Sequence, residues 1–405
     1  MQPSSIVAVT HYRSATGLTR VMQSIVYILR QWYDIHYVGI GYKGPIIREQ
    51  GLTIYPCNLH GGDVYGAYQA RALVEQQQPV FVLLLNDLWM LHNYAALSSC
   101  QPRPHIMAYV PLDGRIVDPS WFKPLSFIDQ WVAYNHFAQR EIDTARMTLT
   151  EQPQQPLRKV AIIPHGVDTQ VFYPLEQHGD ARAVLKRQVF PTLADAEPSF
   201  VVLNANRPQP RKRIDLTIAG FARFARNKPN TVRLCLHHAI MDDRERRQIL
   251  DQAEQCDIRA RLILSPEDTD LSSAEDTDLN RLYNACEVGL NTAMGEGWGL
   301  VSFEHAATGA AQIVPRHSAC VELWEDRAVL VEPVSRGMPA FSPLEMAEVS
   351  AQGVAEALEL LYQNTEQRTQ LADAGYQYVT QVAFQWPTIA EQWRTLFQTL
   401  NHQST

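Results

Sequence analysis

The segment VGLNTAMGEGWGLVSFEHAATGAAQIV, residues 288–314, combines strand, loop and helix signals in one run. It opens on a short apolar stretch, Val288 to Asn291, that reads as a buried strand. Glycines follow at alternate positions, Gly295, Gly297 and Gly299, and then an apolar, helix-compatible stretch from Leu300 to Thr308. Gly309 stands where a C-terminal glycine would end that helix, and Ala310 to Val314 can form the next strand. A strand, a glycine loop and a helix in that order present unpaired backbone N–H groups to an anion. The spacing is not G-x-G-x-x-G, which turns the reading away from a hydride-transfer cofactor.

Two carboxylates sharpen this picture. Glu296 lies inside the glycine loop, and Glu304 follows about two helical turns later. A carboxylate accepts two or more hydrogen bonds, which suits the vicinal hydroxyls of a sugar or a ribose. An anion-seeking loop between two diol-seeking acids fits a ligand made of sugar, diphosphate and ribose. The competing view makes Glu296 a surface loop residue and puts Glu304 on an exposed helix face.

At 405 residues the chain is too long for one ordinary core and implies two or three domains. A net charge of -8 argues against a broad nonspecific nucleic-acid surface, so no nucleic-acid partner is expected. The six cysteines form no C-x-x-C pair, as in a reduced cytosolic protein. The chain enters a strand at Ser5–Thr10 with no signal-peptide pattern, and its longest apolar run, Val80–Leu85, is far short of a membrane span. The expectation is a cytoplasmic protein without an integral membrane segment, monomeric or homodimeric.

From the N-terminus, a strand (Ile6–Thr10), the loop HYRSATG and a helix (Leu18 to about Trp32) bring Gly17 to a turn where a ligand can approach the backbone. Arg13 and Arg20 flank that turn. Strands at Tyr37–Ile40, Val80–Leu85, Ile106–Val110 and Gln130–Ala133 alternate with helices at Tyr65–Gln77 and His136–Arg146. Such alternation implies an α/β fold with parallel sheets. Ligands then sit beyond the carboxyl ends of the strands, which singles out Asp113 in PLDGR, either as a sugar contact or as an Asp-Gly turn. Asn135 reads as a helix N-cap.

PHGVDTQVFYP, residues 164–174, lacks a period and reads as an interdomain linker. A second alternating unit starts at Phe200–Asn204. Four cations then crowd the start of a helix at Leu216–Arg226: Arg207, Arg211, Lys212 and Arg213. Cations there oppose the helix dipole and call for an anionic partner. After a strand at Arg261–Leu264, DTD occurs twice, at 268–270 and 276–278. Aspartate pairs can hold a divalent metal, but the second set falls where an N-cap and acidic first turn belong, and no metal site is assigned.

With these residues in view, the chain resembles the retaining nucleotide-sugar glycosyltransferases of family four, which have the two-domain GT-B fold. The marks are the glycine loop after the first strand, PHGVD at 164–168, the pair Arg207/Lys212 in R-x4-K, and GEGWGLVSFE at 295–304, which reproduces the family's Glu-x7-Glu motif. LNRLYNACEV and FQWPTIAEQW are weaker marks. The resemblance implies two Rossmann-like parallel-sheet domains facing each other across a cleft. Residues 1–170 would be the acceptor domain and 171–383 the donor domain. A final helix, 387–400, would pack back on the first through Ile389, Trp393, Leu396 and Leu400.

It also implies roles. Arg207 and Lys212 would bind the donor diphosphate, Glu296 the donor sugar and Glu304 the ribose. Backbone groups of Gly297, Trp298, Gly299, Leu300 and Val301 would approach the donor, Gly17 would face the diphosphate, and Leu264 would lie near the base. Asp113 stands where the family often has a histidine, and His305 replaces a residue that is usually small. The implied substrates are a UDP- or GDP-linked sugar and a glycan, glycolipid or small-molecule hydroxyl acceptor, with no cofactor and no metal. Bacterial surface-polysaccharide assembly is the setting the family suggests. Lys212→Ala or Glu296→Ala is expected nearly to abolish transfer and leave the fold intact. The alternatives are an inactive nucleotide-sugar-binding scaffold, a phosphorylase or sugar-phosphate synthase, and an epimerase.

Overall fold

The structure, a computed structural model, describes residues 4–12, 16–149, 158–175, 181–191, 200–237, 242–265, 275–339 and 342–402. The chain divides into two compact units. The first comprises Met1–Gly166, Met338–Glu345 and Val382–Thr405, and the second Val167–Gly337 and Met346–Gln381.

In the first unit the strands are β1 (Ser5–His11), β2 (Asp34–Ile40), β3 (Ile47–Glu49), β4 (Leu52–Pro56), β5 (Phe81–Leu85), β6 (His105–Tyr109), β7 (Arg115–Ile116), β8 (Gln130–Ala133) and β9 (Ala161–Ile162). Among the described residues all but β7 form one sheet, in the order β3-β4-β2-β1-β5-β6-β8-β9. Its pairs are parallel except β3 with β4. Runs such as FVLLL in β5 are buried throughout, as a sheet covered on both faces requires. The chain starts mid-sheet at β1, winds outward through β2 and β4, and returns to the other side of β1 at β5. The winding therefore reverses between β1 and β5.

Helices α1 (Gly17–Leu29), α2 (Ala67–Gln77) and α3 (His136–Leu149) connect these strands. Thr16 caps α1 by accepting a hydrogen bond from the Thr19 amide, and Asn135 caps α3 through the Ala138 amide at 2.9 Å. Two 3₁₀ stretches, Leu88–Ser99 and Pro119–Leu125, follow β5 and β7. The first helix ends three residues before its expected stop, at Leu29, where Arg30 donates its amide to Val26.

The second unit contains α4 (Ala181–Val189), β10 (Phe200–Asn204), α5 (Ile214–Ala225), β11 (Val232–His237), α6 (Asp243–Gln255), β12 (Leu262–Ser265), α7 (Asp276–Ala285), β13 (Val288–Leu290), α8 (Leu300–Ala306), β14 (Ala311–Pro315), α9 (Ala319–Trp324), β15 (Val329–Val331) and β16 (Pro333–Gly337). Its described six-stranded sheet is wholly parallel, in the order β12-β11-β10-β13-β14-β15. The winding reverses between β10 and β13. Strand β17 (Leu344–Val349) pairs through Leu344 and Glu345 with β7 and through Met346–Val349 with β16. Helices α10 (Ala351–Gln363) and α11 (Thr365–Val379) complete the unit.

Helix α7 starts at Asp276, three residues before the expected Leu279. Its N-cap residue is Glu275, which makes no capping hydrogen bond, so Asp276 and Asp278 act on the helix dipole in the first turn. The earlier DTD, like Arg13, lies outside the described residues.

The last helix, α12 (Trp386–His402), belongs to the first unit. Ile389, Trp393, Phe397 and Leu400 are buried along one face, with Phe397 in the place expected of the half-buried Leu396. Phe397 stacks on Phe81 of β5 with ring centroids 4.6 Å apart, and Trp393 stands edge-on to Tyr109 of β6 at 5.0 Å. The boundary between the two units falls inside PHGVD, after Gly166, as expected of an interdomain linker, but the segment before it is packed rather than loose. A side chain at Gly166 would meet Phe384 and Trp386 at 2.8 Å, and His165 is buried against Tyr134 at a centroid distance of 3.8 Å. Among the described residues no helix is long and apolar enough to cross a membrane.

Candidate active site

The reversal of the second sheet places the segments after β10 and β13 side by side, the position where open α/β sheets bind ligands. After β10, the Asn204 side-chain oxygen accepts the Asn206 backbone amide at 3.0 Å, and its side-chain amide nitrogen donates to the Thr217 hydroxyl at 2.8 Å. The chain then passes Arg207 and a 3₁₀ turn, Pro210–Lys212, before entering α5. After β13, the Thr292 hydroxyl lies 2.7 Å from that of Thr217 and 3.0 and 2.9 Å from the carbonyls of Lys212 and Arg213. The Met294 amide donates to the Arg211 carbonyl at 2.7 Å, and the Arg211 guanidinium donates to the Gly295 carbonyl at 3.0 Å. Backbone and side chains lace the two loops into one body.

Inside this frame, the Lys212 ammonium donates to the Glu296 carboxylate, and Asn291 donates to the same oxygen at 3.0 Å. Lys212 is 9% exposed and Glu296 5%. Burial pushes the Glu296 carboxyl up, but Lys212, Arg211 and the hydrogen bonds outweigh it and hold it below the ordinary carboxylate range. A second buried Lys–Glu pair lies at the opposite end of strands β10 and β13. There Glu287, just before β13, takes Lys186 of α4 at 2.6 Å and the Val201 amide of β10 at 2.7 Å. Glu287 thus ties α4 to the strand starts, whereas Lys212–Glu296 sits at the ligand-binding ends.

The four cations have different fates. Arg213, held at φ +50°, pairs with Asp215 at 2.6 Å and with Glu348. Lys212 has Glu296, and Arg211 holds the glycine-loop carbonyl. Arg207 is half-buried, and among the described residues its guanidinium has no ion-pair or hydrogen-bond partner. Burial and then Arg211 beside it depress its pKa. The anionic partner expected for the cluster is thus supplied within the protein for Lys212 and Arg213 but, among the described residues, not for Arg207.

Glu304 is 6% exposed and receives the Tyr283 hydroxyl at 3.4 Å, so it does not decorate an open helix face. The sequence marked the segment LNRLYNACEV around Tyr283 but gave that residue no role. Helix α8 ends at Ala306 rather than Thr308, and Gly309 at φ +80° donates its amide to Ala306 at 2.9 Å. Gly299 precedes α8 at φ +89° in open space, so backbone conformation and not crowding requires glycine there. Trp298 is buried with its ring 4.7 Å from Phe303, and Leu300 and Val301 are partly buried at the helix start. Leu264 is buried in β12, while Pro266 after it lies outside the described residues.

His305 is accommodated by the strand beneath it. A side chain at Gly289 would come 2.7 Å from the His305 ring and 2.2 Å from Gln312. The imidazole lies 3.1 Å from the Tyr283 carbonyl, and burial pulls its pKa down to about 4. Gly17 and Asp113 belong to the first unit. Gly17 opens α1, exposed, and Asp113 is half-buried in the segment after β6. The glycine after Asp113 is imposed by close approach, since a side chain at Gly114 would meet the Glu345 carbonyl at 2.3 Å.

Burial also pulls the pKa of His165 down to about 3 and of His237 to about 4. Unfolded histidine takes up a proton near pH 6.5. Between that value and the folded pKa the unfolded chain holds more protons, so stability is fully present above pH 6.5 and declines as pH falls. The decline is about 1.4 kcal/mol per pH unit for each group. Glu296 adds to it only below the unfolded carboxylate value. Urea unfolding at pH 7 and pH 5 is expected to show clearly lower midpoints at pH 5; equal midpoints would contradict neutral burial of these rings.

No protein-family model and no curated protein sequence matches the chain. Solved structures do. HepE from Anabaena in complex with UDP-glucose matches with a TM-score of 0.72 at 16% identity, covering 98% of this chain and 100% of that one. Sucrose-phosphate synthase from Thermosynechococcus elongatus matches at 0.71 and 16%, covering 100% of both chains. WaaG, a glycosyltransferase involved in lipopolysaccharide biosynthesis, matches at 0.68 and 13%, covering 97% and 99%. Over nearly its whole length the chain therefore has the GT-B fold of these glycosyltransferases, with a Rossmann-like parallel sheet in each unit.

Proposed function

We propose that the protein is a retaining glycosyltransferase that moves a hexosyl group from a nucleoside-diphosphate sugar to a hydroxyl acceptor. The observation that carries the proposal is Arg207. A half-buried guanidinium without a carboxylate partner among the described residues, at the switch point of the sheet and beside Arg211, invites a phosphate-bearing ligand. UDP and UDP-glucose bound to HepE, which shares the fold, support that choice of ligand class.

In this proposal Arg207 and Lys212 hold the diphosphate, Glu296 accepts hydrogen bonds from sugar hydroxyls, and Glu304 takes the ribose. Backbone groups from Gly297 to Val301 and Gly17 approach the donor, Leu264 lies near the base, and Asp113 meets the reacting sugar or acceptor. The bond from the anomeric carbon to phosphate oxygen breaks toward an oxocarbenium-like state. The acceptor oxygen bonds to the same face, its proton passes to the departing phosphate oxygen, and the nucleoside diphosphate leaves. No metal is required by this scheme. Rate enhancement comes from positioning and from cations aimed at the charge that builds on the leaving group. Lys212 already shares its charge with Glu296, so Arg207 bears more of that task.

The test is thermal stability with UDP, GDP and ADP and their common sugar conjugates, each with and without EDTA. A ligand at 100 times its Kd adds about 2.7 kcal/mol, enough to raise Tm by several degrees. The expected result is a shift with one base only, unchanged by chelator. A shift that EDTA removes would overturn metal independence, and no shift with any nucleotide would overturn the donor class.

A further inference from the structure

We propose that the first unit carries a carbohydrate-binding subsite built from the indoles of Trp89 and Trp121 together with His92 and Ser120. With Leu88 and Pro124, these residues line a cavity of about 260 Å³ between the two 3₁₀ stretches. The location is the first argument. Asn86 and Asp87 lead directly from the carboxyl end of β5 into Leu88–Ser99, and the winding of the sheet reverses between β1 and β5. One wall of the cavity thus follows β5, a strand that borders the reversal, and the other follows β7, so it opens at the carboxyl-end side of the sheet where ligands of such folds bind.

Trp89 is 44% exposed, high for an indole, yet it is held in place. Its ring stands edge-on to Tyr65, with centroids 5.6 Å apart and planes at 83°. Trp121 is half-buried, and Asp118 accepts hydrogen bonds from the Ser120 hydroxyl, from the Ser120 amide at 3.0 Å and from Trp121. His92 Nδ1 lies 2.8 Å from the Trp89 carbonyl, which can only accept, so in the neutral ring the proton sits on Nδ1 and Nε2 is left as an acceptor.

The lining selects the ligand. A pyranose presents a face of C–H groups and a rim of hydroxyls. Indole rings match the first, while the Ser120 hydroxyl oxygen, whose proton goes to Asp118, and His92 Nε2 can accept hydrogen bonds from the second. No carboxylate, ammonium or guanidinium lines the cavity, which disfavours a phosphorylated or cationic ligand. The volume falls just below the roughly 300 Å³ at which pockets for larger organic ligands begin, a size suited to a single ring. If the transferase proposal holds, this ring is a non-reacting sugar of the acceptor. That role rests on the proposal, but saccharide binding itself does not.

The experiment titrates the full chain, without nucleotide, with methyl α- and β-glucosides, galactosides and mannosides and with their di- and trisaccharides. Tryptophan fluorescence and calorimetry report binding. At least one saccharide is expected to bind, Trp89→Ala to weaken it about tenfold or more, and Trp89→Phe to retain most of the affinity. Trp121→Ala should act alike, with Tm of both alanine variants near that of the parent. In transfer assays the loss should appear in KM for the acceptor and spare KM for the donor. Absence of binding across the panel, or equal affinity in parent and Trp89→Ala, overturns the subsite. Saccharide binding that Trp89→Ala removes, in a protein that no nucleotide stabilises, would uphold the subsite and defeat the transferase proposal.

Discussion

Replacing Lys212 with alanine is expected to cost the second unit about 3–5 kcal/mol of stability in addition to its transfer activity. The sequence alone suggested a variant with an intact fold, but the pair is buried. Glu296 would then lie 5% exposed with its charge answered only by Arg211 and the Asn291 amide. A buried carboxylate that loses its ammonium either stays charged at high cost or takes up a proton, and both disfavour the native state. The double variant Lys212→Met/Glu296→Gln removes both charges with little change in volume and should recover most of the stability. It should recover none of the transfer, because neither the phosphate contact nor the acceptor of sugar hydroxyls returns. Denaturant unfolding of the two variants beside turnover of the donor separates these effects. A Lys212→Ala protein as stable as the parent would mean that the pair is not sealed from water.

Arg207→Ala should show the opposite profile. No protein group among the described residues depends on its guanidinium, so its removal leaves no stranded partner and the unfolding midpoint should hold within about 0.5 kcal/mol. Activity should fall by roughly 10²–10³, the effect of losing one preorganised contact to developing charge. The thermal shift given by the nucleotide should shrink in parallel. Neighbours five positions apart would thus separate, one carrying fold and function together and the other function alone. Undiminished turnover in Arg207→Ala would remove the main support for a diphosphate at this place.

Much of the architecture was legible because unbroken apolar runs are hard to misplace. Gln130–Ala133 and Phe200–Asn204 are strands with the bounds read from sequence. The alternation with helices gave the doubly wound sheets. The small sheet of β7, β16 and β17 was not legible, since PVSRG has no apolar alternation and its partners lie far apart in the chain. Within the cation cluster, charge alone could not separate Arg213 from Arg207, because the carboxylate that distinguishes them, Glu348, comes from β17. The burial of Glu304 was equally hidden, as was the role of Tyr283, a residue that elsewhere in the chain would pass for ordinary core. The aromatic cavity between the two 3₁₀ stretches escaped notice because Trp89 and Trp121 lie in segments without a helix or strand period.

Gly289 and His305 have a bearing beyond this molecule. The strand gives up a side chain so that the His305 imidazole and the Gln312 amide can lie over it, which couples the three positions. A chain that acquires alanine or valine at the first must shrink or turn away both of the others, and one that loses the histidine and the glutamine leaves a void that a larger strand residue can fill. Relatives should therefore sort into two combinations at these positions, glycine with the ring and the amide or a bulkier strand residue with small partners. Their sequences would then record how this helix is seated on its sheet.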